Sequence, residues 1–104
     1  MLPFEIKTGT YVGDTTSQTI TLGFKPMAVI IINETDGDIV SIKIGASAAS
    51  THTAISTAAA AVASGGMLFQ ATGFKTGTDT STSENGKTFR YLAIGSQTLA
   101  ADGS

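Results

Sequence analysis

His52 is the single histidine of this chain. A histidine that activates a hydroxyl nucleophile needs a Ser or Thr within hydrogen-bond reach and a third group to orient its ring. Hydroxyls crowd residues 46–66, but no carboxylate stands among them. The local pattern therefore reads as an exposed loop histidine and not as a base. Glu34, Asp36 and Asp38 place three carboxylates within five residues. Calcium takes six to eight oxygens from ligands at fixed positions, and the further acidic or amide positions of such a loop are missing. Asp36-Gly37 reads instead as a turn. The pairs Gly9/Gly13 and Gly73/Gly77 have a phosphate-loop look, yet neither stands in a strand-to-helix context followed by Gly-Lys-Ser/Thr. Turns and bulges account for them. Tyr11, Phe24, Phe69, Phe74, Phe89 and Tyr91 could stack bases or sugars. With no tryptophan and 7% aromatic residues, they read as core or subunit interface. No residue is thus assigned a catalytic, cofactor or metal role, and the chain reads as non-enzymatic.

Charge narrows the partners. Six Lys and Arg face eight Asp and Glu, a net charge of −2, and charged residues make up only 13% of the chain. That is about half the usual share. Lys7, Lys25, Lys43, Lys75, Lys87 and Arg90 are scattered singly, whereas nucleic-acid binding depends on cations gathered against phosphates. No nucleic-acid partner is expected. The longest apolar stretches, residues 27–32 and 58–63, fall far short of the ~20 residues of a membrane-spanning helix, so no membrane partner is expected either. The opening Met-Leu-Pro-Phe-Glu lacks the basic head and apolar block of a signal peptide, which implies synthesis in a cytoplasm. Cysteine is absent, so disulfides play no part.

These side chains must be positioned by short strands. The 104 residues read as one domain with a possible N-terminal arm, residues 1–4. Residues 4–11 and 19–22 alternate apolar and polar, the period of half-buried strands. Pro26 opens a continuous apolar run, residues 27–32, that reads as a strand covered on both faces. The turn at Asp36-Gly37 joins it to residues 39–44 as a hairpin. Residues 67–71 and 73–77 suit two further strands. Asn85-Gly86 favours a type I′ turn before residues 88–94. That last strand carries bulk on both faces and so reads as interior to a sheet. Residues 57–63, rich in alanine, suit two turns of helix or a long surface loop. Residues 100–104 read as a frayed end. The expected fold is all-β: a small antiparallel β-sandwich or jelly-roll-like barrel of about 6–8 short strands, with one short helix possible near residues 57–63. Val29, Ile30, Ile31, Ile42, Ile44 and Phe74 are the expected core.

Two stretches carry a resemblance. The first is Gly9-Thr10-Tyr11-Val12-Gly13-Asp14 with Gln18-Thr19-Ile20-Thr21-Leu22-Gly23-Phe24-Lys25-Pro26-Met27-Ala28-Val29-Ile30. The second is Thr72-Gly73-Phe74-Lys75-Thr76-Gly77-Thr78-Asp79 with Asn85-Gly86-Lys87-Thr88-Phe89-Arg90-Tyr91-Leu92-Ala93-Ile94. In this order they resemble a family of small β-sandwich virion structural proteins of tailed bacteriophages. Members enter with a tight turn, Leu-Gly-Phe-x-Pro and Ala-Val, and close with an Asn-x-Gly-like turn, an aromatic, Tyr and Ala. The closing turn here, Ser83-Glu84-Asn85-Gly86, is a looser match, and residues 46–66 lie outside the resemblance. It implies a capsid decoration or cement protein in the virion, bound to the major capsid protein at the shell surface, with no catalytic residue to carry over. The alternative is a tail-fibre or tail-tip module that binds a host receptor or carbohydrate. Surplus bulk on residues 89–94, together with the local three-fold positions such subunits occupy, points to a homo-trimer. Residues 46–66 and the arm, residues 1–4, are the expected contact segments.

Overall fold

The computed structural model describes residues 4–45, 49–56 and 58–96. They form β1 (Phe4–Val12), β2 (Thr19–Thr21), β3 (Pro26–Asn33), β4 (Val40–Ile44), β5 (His52–Ile55), β6 (Ala59–Val62), β7 (Leu68–Gln70), β8 (Gly73–Lys75), the single helical turn α1 (Thr80–Ser83) and β9 (Thr88–Ser96). A six-stranded sheet runs in the order β1-β9-β3-β4-β5-β6, and a three-stranded sheet in the order β2-β8-β7. Every pairing is antiparallel. This is the expected all-β sandwich, built as two open sheets rather than a closed barrel.

Period-two alternation decides which side chains enter the core. Phe89, Tyr91 and Ala93 of β9 are buried, as are Val29 and Ile31 of β3. Successive strand residues point to opposite faces. Leu22, Phe24, Met67, Phe69 and Phe74 close the same core from the small-sheet side, with Ile20 packed against it. Tyr11 stacks on Phe89 at 5.3 Å, and Phe74 meets Tyr91 edge-on at 5.5 Å. Each such pair adds about 0.5–1.5 kcal/mol beyond area burial. Gly73 lets β2 close on β8, because a Cβ there would collide with the Ile20 carbonyl oxygen.

Several expectations are corrected. Residues 57–63 hold no helix among those described. Instead, residues 59–62 form β6, whose register with β5 runs from His52↔Val62 to Ile55↔Ala59. Pairing with β5 satisfies that backbone, whereas a two-turn helix is marginal without tertiary support. The helical turn falls at Thr80–Ser83, where Asp79 caps it by accepting from the Ser81 amide at 3.0 Å. Only Gly86 of the Asn85-Gly86 pair has positive φ. A type I′ turn needs both, so that reading falls, and the turn joins α1 to β9 rather than two strands. The β3–β4 hairpin is present, with a six-residue connection closed by Gly37 N–H on the Asn33 carbonyl at 2.7 Å. Val29, Ile31 and Phe74 are fully buried, but Ile30 and Ile42 are half-buried and Ile44 is 76% exposed. The apolar run of β3 is therefore covered by this chain on one face only, among the described residues. Of the expected arm, residues 1–4, the first three lie outside the described residues, as does the expected frayed end at residues 100–104. Phe4 itself opens β1.

Candidate interaction surface

His52 sits at the start of β5 and is buried, not exposed on a loop. Its Nδ1 accepts from the Met67 amide at 3.0 Å, so Nε2 carries the proton of the neutral ring. That Nε2 meets Ser81 Oγ at 2.7 Å, and Ser81 in turn donates to Asp79 Oδ2 at 2.5 Å. A Ser, a His and an Asp are thus in contact, but in the wrong order for nucleophilic catalysis. The ring donates to the hydroxyl instead of accepting its proton, and the carboxylate holds the serine instead of orienting the ring. Burial holds the His52 pKa below 6.5, opposed by Asp79 and helped by Lys43.

The cluster belongs to a polar plug at one end of the sandwich. Thr82 Oγ1 donates to the Thr76 carbonyl at 2.5 Å, and Ser83 Oγ to the Thr16 carbonyl at 2.8 Å. Tyr11 donates to the Thr82 carbonyl at 2.6 Å and Ser41 to the Ser81 carbonyl at 3.3 Å. Burial pushes the Tyr11 phenol pKa well above its ordinary value. Among the described residues no buried side-chain nitrogen or oxygen lacks a partner. These hydroxyls lock α1 onto β1, β4 and β5, and all of that chemistry is spent internally.

The other sequence candidates are likewise held. Asp36 caps the β3–β4 connection through Asn33 and pairs with Lys87 at 3.2 Å, while Glu34 pairs with Arg90. The Arg90 guanidinium holds the Glu34 carboxyl below its usual range. Two of the three carboxylates of that segment, Glu34 and Asp36, are therefore neutralised by protein cations. Lys43 points inward, donates to the carbonyls of Ala49 and Thr51 at 2.7 and 2.9 Å, and lies 5.5 Å from the Phe69 ring centre. Burial lowers its pKa. The six aromatics form core, not a stacking platform.

What faces outward is the far side of the six-stranded sheet. Register places Ile6, Ile94, Ala28 and Ile44 in one row, with Leu92, Ile30 and Ile42 in the next, and Ile32, Val40 and Ile55 in a third. Ile6 is 63% exposed and Ile32 42%. No described residue covers this face. Beside it, past the last β4–β5 pair at Ile42↔Thr53, lies an open groove of about 370 Å³, lined by Ile42, Ile44, His52, Thr53 and Ala61 among others, with no Phe, Tyr or Trp. Sequence reasoning reached part of this face through the surplus bulk on residues 89–94, but assigned Ile30, Ile42 and Ile44 of the same face to the core. The available signal was the unbroken apolar run of residues 27–32, which asks for cover on both sides.

No protein-family model matches this chain, and neither a curated protein nor a solved structure shows significant similarity to it.

Proposed function

We propose that this chain is a non-enzymatic virion structural protein, a capsid decoration or cement protein that binds the assembled head of a tailed bacteriophage. Three copies would sit together on the major capsid protein and brace the shell against internal pressure. One observation carries the reading: the residues that resemble the phage family are those that build the sandwich. Tyr11, Leu22, Phe24, Val29, Phe74, Phe89, Tyr91 and Ala93 all lie in the two resembling stretches and all are buried. The low charge and the inward-turned polar chemistry suit a rigid subunit that works by contact. Rigid sheets hold loops at fixed spacing, as repetitive docking on a lattice requires. The tail-fibre alternative has less support, because the groove beside β4 offers no Phe, Tyr or Trp on which a sugar could stack and its one ring, His52, is buried.

Locating the protein in purified particles tests the reading. Stoichiometric occupancy of the shell is expected. A few copies confined to the tail tip, or none in the particle, would overturn it.

A further inference from the structure

The outer face of the six-stranded sheet is an apolar surface left open among the described residues. We propose that it is a self-association surface, covered in solution by the same face of another copy of the chain. This stands on the face itself and not on the virion reading.

Size is the first argument. A strand spacing of ~4.8 Å and a rise of ~3.3 Å per residue give the area over β1, β9, β3, β4 and β5 roughly 350–400 Å² in plan. Apolar patches of that order are about the largest a monomer shows and are commonly functional. A stable interface takes about 800 Å² from each partner, with an apolar centre and a polar rim. Ile30, Ile42 and Leu92 make the centre here, with Thr8, Thr10 and Thr53 as polar positions within the rows, and exposed Val12, Ala59 and Ala61 extend the face beyond the area counted.

Charge selects the partner. Arg90 is the one charged side chain in these three rows, and Glu34 already holds it. A nucleic acid, an anionic lipid surface or a charged peptide finds no handle. The fitting partner is uncharged, apolar and twisted to the same degree, and an identical sheet has all three properties. Sheets pack face to face at about 10 Å in this way.

Sedimentation of the isolated protein at tens of micromolar tests the proposal, with Ile44→Glu against the control Thr21→Glu on the small sheet. Ile44 is 76% exposed in the single chain, so the substitution spares the fold, and circular dichroism verifies this. A dimer is expected for the wild type and for Thr21→Glu, because a face that meets its own copy closes on two chains. Ile44→Glu should weaken association by on the order of 100-fold or more, because it buries an unpaired charge. A second readout does not depend on that variant folding. The chain has no cysteine, so Ile44→Cys carries a unique thiol. Its alkylation should slow as protein concentration rises. A wild-type monomer at tens of micromolar overturns the proposal. So does an oligomer in which the position-44 thiol reacts equally fast at every concentration, since the copies would then meet elsewhere.

Discussion

His52 shows how a residue type can suggest one chemistry while its bonds perform another. Its ring is held neutral by a backbone N–H on Nδ1, and a proton there would lose that bond and meet the donor's positive end. Burial depresses its folded-state pKa below 6.5. The unfolded chain therefore binds the proton more readily than the folded one, and stability rises with pH across this window. The contribution is complete above about pH 6.5 and declines as pH falls through the unfolded value toward the depressed folded one. The exposed carboxyls of Asp14 and Glu34 are held below their ordinary values and so titrate beneath this window. Urea unfolding at about pH 7.5 and pH 5.5 should show a lower midpoint at the acid value, and His52→Gln should flatten that difference. A midpoint that is level or higher at pH 5.5 in the wild type would sink the assignment. His52→Ala should cost about 2–4 kcal/mol at pH 7.5, because it strands the Met67 amide and removes a partner of Ser81.

Seven of the nine strands were legible from alternation and turn residues, because period-two patterning reports burial on one face directly. β5 and β6 were not. Alanine, serine and threonine carry little contrast, so the helix preference of alanine outweighed a pairing that only tertiary contact reveals. His52 was misread for the same reason. Its partners, Met67 and Ser81, lie 15 and 29 residues away, with no local spacing to announce them. The core was half legible. Val29 and Ile31 point into the sandwich while Ile30 and Ile42 point away from it, yet all four are β-branched and apolar. A residue destined for a core and one destined for an interface look alike in sequence. Truncation separates them. Ile31→Ala should destabilise the fold by about 2–5 kcal/mol, the usual range for a large-to-small core change. Ile44→Ala, measured dilute enough to keep the chain monomeric, should change it by under about 0.5 kcal/mol. Equal losses at the two positions, read as shifts in the urea midpoint, would mean that the inner and outer faces have been exchanged.

At the scale of the whole molecule, the two faces of the large sheet divide the work. The inner face meets the small sheet and makes the fold; the outer face has no such cover among the described residues. A monomer of 104 residues with 13% charged residues has few means of keeping such a surface in water. Association through it should carry the signature of apolar burial and not of ion pairing. Screening at about 1 M NaCl shortens the Debye length to ~3 Å, which weakens contacts between exposed charges and leaves apolar ones intact. Apolar association also weakens on cooling and strengthens with sulfate. Sedimentation at about 50 mM and about 1 M NaCl should therefore give the same or a larger species at high salt. The same measurement at about 5 °C should show partial dissociation relative to 25 °C, reversed by adding sulfate. An oligomer that falls apart in 1 M NaCl and tightens in the cold would place the contact on charged groups. Arg90 with Glu34 at the margin of the face, or Lys7 and Glu5 on the edge strand β1, would then be the residues to examine, and the apolar face would have to be occupied by something other than a copy of this chain.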